Sequence, residues 1–442
     1  MNVVNFIEAK KAGRGHTRDE ITQFIKGVVD GSIPDYQTAA WLMAVCFKGL
    51  SLNETIWLTD AYVKSGKILD LSGIKRTCVD KHSTGGVGDK TTLIVTPILA
   101  ACGLGVAKLS GRGLGLTGGT IDKLESIPGF PKFNVQLTQA QFLSQIDEIG
   151  MAIASQTAEL APADGIIYAL RDVTGTVASI PLIAASVMSK KIAAGAPIIT
   201  LDVKFGQGAF MKTLKEAEQL AKICIQIGEG FGRKTKAILS NMDTPLGFAI
   251  GNTNEVIEAI ETLKGHGPED LTQLCYLLAT TTLEATGLSK ADAKQKVQLA
   301  ITSGEALTAL RELIAKQGGN AECVNNYQLF PQPKSKLLVE SPRSGFIASC
   351  DALEIAKAAF ELGAGREKKT DCIDHGVGIN LLKKPGDAIQ KGEAIAELWV
   401  GIKGVDQVKV LTQEAFIISE QQPSINFEAD HFVFEATAAG KK

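Results

Sequence analysis

The stretch Lys81-His82-Ser83-Thr84-Gly85-Gly86-Val87-Gly88-Asp89 joins a short apolar run, Thr77–Asp80, to the helical pattern of Thr91–Ala101. The same order returns a little later. The run Val106–Leu109 leads into Ser110-Gly111-Arg112-Gly113-Leu114-Gly115, and Gly118 and Gly119 precede the helical pattern of Thr120–Glu125. Buried strand, glycine-rich loop and helix in succession predict a mostly parallel α/β sheet. Five glycines (Gly111, Gly113, Gly115, Gly118, Gly119) fall within nine residues, and Lys81, Ser83, Thr92, Ser110, Thr117 and Thr120 surround the two loops. Glycine allows close backbone approach to a ligand. Exposed N–H groups, hydroxyls and a lysine together describe a cradle for phosphate or another oxyanion.

Outward from these loops the texture changes in both directions. Toward the N-terminus, Thr17–Glu20 and Ser51–Glu54 are capping boxes, Pro34 starts a helix through Trp41 and Val45, and the stretch up to residue 66 is all-helical. Residues 66–73 form a linker. Toward the C-terminus, Met151–Ala154 and Ile198–Val203 predict further strands, and Ala140–Ile149 and Phe210–Ile227 further helices. Asp164–Ala194 is helical without a strand, which suggests that it packs with the N-terminal helices. After Ser344, β-like residues alternate with turns, and Lys384–Glu393 resembles a biotin- or lipoyl-carrier hairpin without a modification lysine in a Met-Lys-Met turn. The expected fold is α/β. A discontinuous helical domain (1–66 and 161–194) accompanies a large, mostly parallel α/β domain (74–160 and 195–335) and a small α+β C-terminal domain (345–442) of structural role.

The 442 residues are 45% hydrophobic and 21% charged with a net charge of −2, an ordinary globular composition. No lysine or arginine run suggests nucleic acid or an anionic membrane as partner. Met1–Lys11 carries Glu8 and no apolar core, so no signal peptide is expected, and the longest apolar runs are broken by Lys, Asp or Gly before membrane-spanning length, so no span is expected either. The eight cysteines are scattered without a C-x-x-C, as reduced thiols in the cytoplasm would be. The five histidines never pair at i, i+4, and no zinc spacing is present, which argues against a metal hydrolase.

Three chemistries compete for the glycines. Gly113-Leu114-Gly115-Leu116-Thr117-Gly118 matches a dinucleotide fingerprint, but the next strand ends in Ser155-Gln156 where an acid should hold the ribose. Gly88-Asp89-Lys90-Thr91 imitates the end of a P-loop, but Asp89 would oppose a nucleotide β-phosphate. A site for free phosphate or a sugar phosphate uses both loops and their hydroxyls, with a helix dipole opening near Gly88–Thr92.

At these residues the chain resembles the thymidine phosphorylase/pyrimidine-nucleoside phosphorylase family. The signature runs from Ser110 to Glu125. Lys81–Asp89, Tyr168–Thr174, Ser179–Ile183, Ser186–Lys191 and Gly363–Arg366 also match. Anthranilate phosphoribosyltransferases share the plan but are shorter and lack the C-terminal domain. The resemblance implies phosphorolysis: phosphate attacks C1′ of a uridine- or thymidine-type nucleoside, giving free base and (2-deoxy)ribose 1-phosphate with inversion. It implies that Lys81, Ser83, Thr92, Ser110 and Thr120 hold phosphate. Arg171, Ser186 and Lys190 would read the base, and Leu114, Tyr168, Ile183, Val187 and Phe210 would line its pocket. Arg171, Lys190 and a protonated His82 would stabilise charge on the departing base. No organic cofactor is implied, and a cytoplasmic homodimer through the N-terminal helices is.

Three departures from the family pattern bear on specificity, rate and cation dependence. Leu116 stands where histidine is usual, and Phe205-Gly206-Gln207-Gly208 replaces a Thr-Gly-Ala-Gly sequence. Lys90 falls beside a monovalent-cation site whose other ligands would come from Gly88, Leu246, Ala249 and Glu255, so potassium, or Lys90 in its place, is expected there. Lys108 resembles the form of the family that accepts both ribose and deoxyribose nucleosides. A thymidine-restricted phosphorylase and a non-catalytic nucleoside- or phosphate-binding relative stand as alternatives.

Overall fold

The two strand–loop–helix units are present. β1 (Cys78–Ser83) leads through the first glycine-rich loop into the helix Thr91–Ala101, and β2 (Gly105–Ser110) leads toward the helix Thr120–Glu125. The chain is described from a computed structural model, which covers residues 1–113, 118–129, 133–157, 159–366, 368, 370–403 and 405–434. β3 (Met151–Ser155), β4 (Ile198–Phe205) and β5 (Lys234–Asn241) complete a parallel set in the order β5-β4-β1-β2-β3. Helices cover both faces, so β4 is buried along its whole length. The sequence reading passes over β5 because exposed Lys234 and Lys236 interrupt its apolar pattern.

The helical domain is discontinuous, as expected. Ala163, Ile167, Leu182 and Ala185, from the helices Pro162–Thr174 and Ile180–Ala193, share a core with Phe6, Phe24, Trp41 and Tyr62. Both expected capping boxes form, with Glu20 and Glu54 returning to the backbone of Thr17 and Ser51. The helix expected from Phe210 starts instead at Leu214, because Thr213 and Glu216 make a capping box of their own. Phe210 is thereby left in a loop.

The C-terminal part differs from the expected boundaries. β6 (Ala249–Gly251), from the α/β domain, joins β7 (Ser335–Glu340), β9 (Gly378–Leu381) and β11 (Ala394–Val400) in one sheet. β8 (Gly345–Cys350), β10 (Ala388–Ile389) and β12 (Phe416–Ser419) make a second. The chain then returns, and β13 (His431–Phe434) pairs antiparallel with β5. An open edge exposes unpaired N–H and C=O groups, and β13 covers that of β5.

Candidate active site

The chain moves from β1 outward through β2 to β3, then crosses back to lay β4 on the other side of β1. Such a reversal opens a crevice at the carboxyl ends of the strands, the usual ligand site of open α/β sheets. Here a cleft of about 870 Å³ occupies it, walled on one side by the loops after β1 and β2 and on the other by the helices Pro162–Thr174 and Ile180–Ala193.

Ser83, Thr92, Ser110 and Thr120 all line the cleft. Ser83 and Ser110 end their strands, while Thr92 and Thr120 lie in the first turns of the two following helices. Gly88 has φ +73°, and a Cβ there would meet the Leu246 carbonyl at 2.5 Å, so this turn requires glycine. Lys81 departs from expectation. Its side chain is fully buried and not part of the wall; Nζ donates to Thr91 Oγ1 (2.5 Å) and lies 3.4 Å from Asp202. The parallel register that sets Ser83 beside Asp202 brings this carboxylate under the loop. Asp89 lines the cleft instead, taking hydroxyl bonds from Ser83 (2.5 Å) and Thr91 (2.6 Å). Burial alone would raise its pKa, but Lys204, Lys81 and Lys123 hold it well below the usual carboxylate range. Lysines and carboxylates thus alternate beneath the cradle, with Lys204 3.0 Å from Asp202.

On the opposite wall, Tyr168, Arg171, Ile183, Ser186, Val187 and Lys190 face the cleft, and Phe210 stands at its rim 53% exposed. Leu114, like Leu116, lies outside the described residues. The buried Arg171 guanidinium donates to three carbonyls: Nε to Thr176 (3.2 Å), Nη1 to Leu182 (3.1 Å) and Nη2 to Val177 (2.7 Å). Arginine has five N–H donors, so two remain without a partner among the described residues. Burial lowers its pKa, opposed by Tyr62 and Asp164. Lys190 Nζ sits 2.8 Å from Asp164, 3.4 Å from Ser186 Oγ and 5.2 Å from the centre of the Tyr168 ring.

His82, at the end of β1, also lines the cleft, with lysines as neighbours. Burial, then Lys191, Lys108, Lys81 and Lys190, push its pKa well below the ordinary value. The ring is therefore neutral near pH 7, which corrects the expectation of a protonated His82: burial first, and then the neighbouring lysines, disfavour its charge. Lys108, at the cleft wall, donates to the Lys81 carbonyl (2.7 Å), and burial together with Lys191 lowers its own pKa well below the ammonium range. Lys191 pairs with Asp80 at 2.8 Å.

Lys90 lies among residues expected around the cation site, with Glu258 rather than Glu255 as its carboxylate. The fully buried Lys90 Nζ donates to the carbonyls of Leu246 (3.0 Å) and Ala249 (2.8 Å) and to the Glu258 carboxylate. The Gly88 carbonyl takes the Lys90 N–H (3.0 Å). Burial would lower the lysine pKa, but Glu258 and Glu255 raise it overall. Glu255 does not touch Lys90; it faces Lys123 (2.8 Å) and accepts the Gly251 N–H (3.1 Å). Both glutamates lie on the helix Thr253–Leu263, and the backbone amides of Phe248 and Ala249 turn Glu258 toward Lys90. Leu246 and Ala249 thus present their oxygens to an ammonium.

Family models match along the chain: the glycosyl transferase family helical bundle domain at 4–66, its a/b domain at 75–307, and the pyrimidine nucleoside phosphorylase C-terminal domain at 346–419. A pyrimidine-nucleoside phosphorylase of Geobacillus stearothermophilus is 47% identical over 433 residues, 97% of this chain and 99% of that protein. The chain belongs to the pyrimidine-nucleoside phosphorylase family. A second member, from Bacillus subtilis (strain 168), is 49% identical over 412 residues, 92% of this chain and 94% of its own. The anthranilate phosphoribosyltransferase of Thermus thermophilus shares the fold, with a TM-score of 0.56 at 17% identity over 72% of this chain and 99% of that chain.

In this phosphorylase-family cleft, sequence reasoning missed Asp164 and Asp89 as wall residues. Asp164 carried a usable signal: Asp164, Tyr168 and Arg171 are spaced i, i+4, i+7 on one helix face. Asp202 carried none, since only the pairing of β4 with β1 brings it to Lys81.

Proposed function

We propose that this chain is a cytoplasmic pyrimidine-nucleoside phosphorylase that converts uridine- and thymidine-type nucleosides and inorganic phosphate to free base and pentose 1-phosphate. The observation that carries the reading is the cleft itself. A hydroxyl cradle at the ends of β1 and β2 faces Arg171, Ser186 and Lys190 across a gap open to solvent. Phosphate held by Ser83, Thr92, Ser110 and Thr120 attacks C1′ as the C1′–N1 bond breaks, and the bonding pair leaves with the base. Donors fixed before the reaction lower the barrier most where charge develops. Lys190 and the two free N–H groups of Arg171 act on the base carbonyls, and neutral His82 offers a hydrogen bond rather than a charge. The names of both relatives and of the C-terminal domain model agree on pyrimidine nucleosides, which supports the base. Lys108 at the wall supports acceptance of both sugars.

The protein works as a homodimer without organic cofactor. Tyr36, Met43 and Phe47 lie on one face of the helix Asp35–Lys48 and are 74%, 37% and 80% exposed, an apolar stripe suited to a second copy. The Lys90 ammonium takes the place of a bound potassium ion. Phosphate consumption and base release with uridine and with thymidine test the activity. Turnover of both is expected; turnover of thymidine alone gives the restricted enzyme, and none with either gives a binding protein.

A further inference from the structure

The C-terminal domain reaches the phosphate side of the cleft through one side chain. Arg366 follows the helix Ala352–Leu362 and is largely buried. Its Nη1 lies 2.8 Å from Asp122 Oδ1 and donates to the Gly113 carbonyl at 3.2 Å. Asp122, fully buried, accepts the Gly113 N–H on its other oxygen at 2.6 Å. Both backbone polar groups of Gly113 are therefore held by one ion pair, half of it supplied by the C-terminal domain. Gly113 and its neighbours Gly111 and Arg112 line the cleft between Ser110 and Thr120. Asp122 is in the first turn of the helix that Thr120 begins, so the pair ties the loop to that helix as well. The domain is anchored close by, where Asn252 Nδ2 donates to the Ala364 carbonyl at 2.9 Å.

We propose that Arg366 is a positioning residue: with Asp122 it fixes the peptide of Gly113, and so the spacing of Ser110 and Thr120 around phosphate. The proposal rests on the phosphorolysis reading for its substrate, but not for its geometry. It gives the C-terminal domain a part in the site beyond structural support. Charged partners buried together hold a loop more strictly than the same groups in water. Small misplacement of a binding group costs rate out of proportion to its size.

The test uses the full chain with Arg366→Met, which keeps the apolar stem and removes the charge. Asp122 keeps a cation, since Arg112 Nη1 lies 3.4 Å away, so the variant is expected to fold. The phosphate KM should rise about tenfold while the nucleoside KM stays within about twofold, because the base contacts sit on the other wall. Arg366→Lys should recover part of the loss, since one nitrogen makes both contacts. Hydrogen exchange of a peptide ending at Gly113 should speed up about tenfold in Arg366→Met, whether or not the substrate is right. An unchanged exchange rate overturns the proposal outright. So does an active wild type whose Met variant loses affinity for both substrates alike, or for neither. A wild type that consumes no phosphate sinks the phosphorolysis reading instead, and leaves exchange to decide for Arg366.

Discussion

Replacing Lys90 by threonine should create a potassium requirement that the unmodified protein lacks. In the native protein one buried ammonium serves two carbonyls and the Glu258 carboxylate, with Lys90 fully enclosed and the Glu258 side chain 11% exposed. Removing one partner of a buried ion pair costs about 3–5 kcal/mol, because the other charge stays in place without compensation. Glu258 keeps its bonds from Phe248 N–H (2.9 Å) and Ala249 N–H (3.1 Å), which favours the lower end. For a chain of this size that is a fall in Tm on the order of 4 °C. Threonine leaves a gap lined by carbonyls, a carboxylate and its own hydroxyl, hard oxygen ligands for a monovalent cation. Potassium at about a hundredfold its Kd would restore roughly 2.7 kcal/mol. The assay is thermal unfolding and steady-state turnover in potassium chloride against tetramethylammonium chloride at equal ionic strength. The native protein should give the same Tm and rate in both, and Lys90→Thr should regain both only in potassium. The lysine's raised pKa keeps its contribution whole below pH about 10, lost only as pH climbs through the higher native value, so neutral buffers do not blur the comparison. A native protein that slows or melts earlier without potassium would refute the reasoning, as would a threonine variant equally stable in both salts.

Arg171→Lys should lose about 2–4 kcal/mol in kcat/KM, as should Arg171→Ala, because one ammonium cannot span the carbonyls of Thr176, Val177 and Leu182; near-normal turnover by the lysine variant would remove the fork from the site. His16 stacks on Phe6 with ring centres 3.6 Å apart and accepts the Trp41 indole N–H, and burial lowers its pKa to about 4. The unfolded chain binds that proton first, so stability is full above pH about 6.5 and falls by on the order of 3 kcal/mol on the way to pH 4, which denaturant titrations across that range would reveal or exclude. Phe47→Glu should convert a dimer to a monomer in light scattering; a native protein that already runs as a monomer disproves that interface.

Much of this molecule is legible locally. Thr17 and Glu20, or Ser51 and Glu54, make their capping boxes within a single turn, so the residues alone determine them. The apolar runs before the two glycine-rich loops become β1 and β2, and the hydroxyls of Ser83, Thr92, Ser110 and Thr120 reach the cleft, since strand end and helix start leave them little choice. What depends on distant register was closed to sequence reasoning. Glu255 and Glu258 sit on one helix, and only the segment from Leu246 to the start of β6 at Ala249 selects Glu258 for Lys90. Lys81 looked like a wall residue until β4 brought Asp202 beneath it. His82 reads as a candidate cation in its own motif, yet burial first, and then Lys191 from a distant helix, keep it neutral. Caps and turns act over a few bonds, whereas the charge of a buried group is set by every neighbour that folding brings near, and those neighbours are chosen by the tertiary structure.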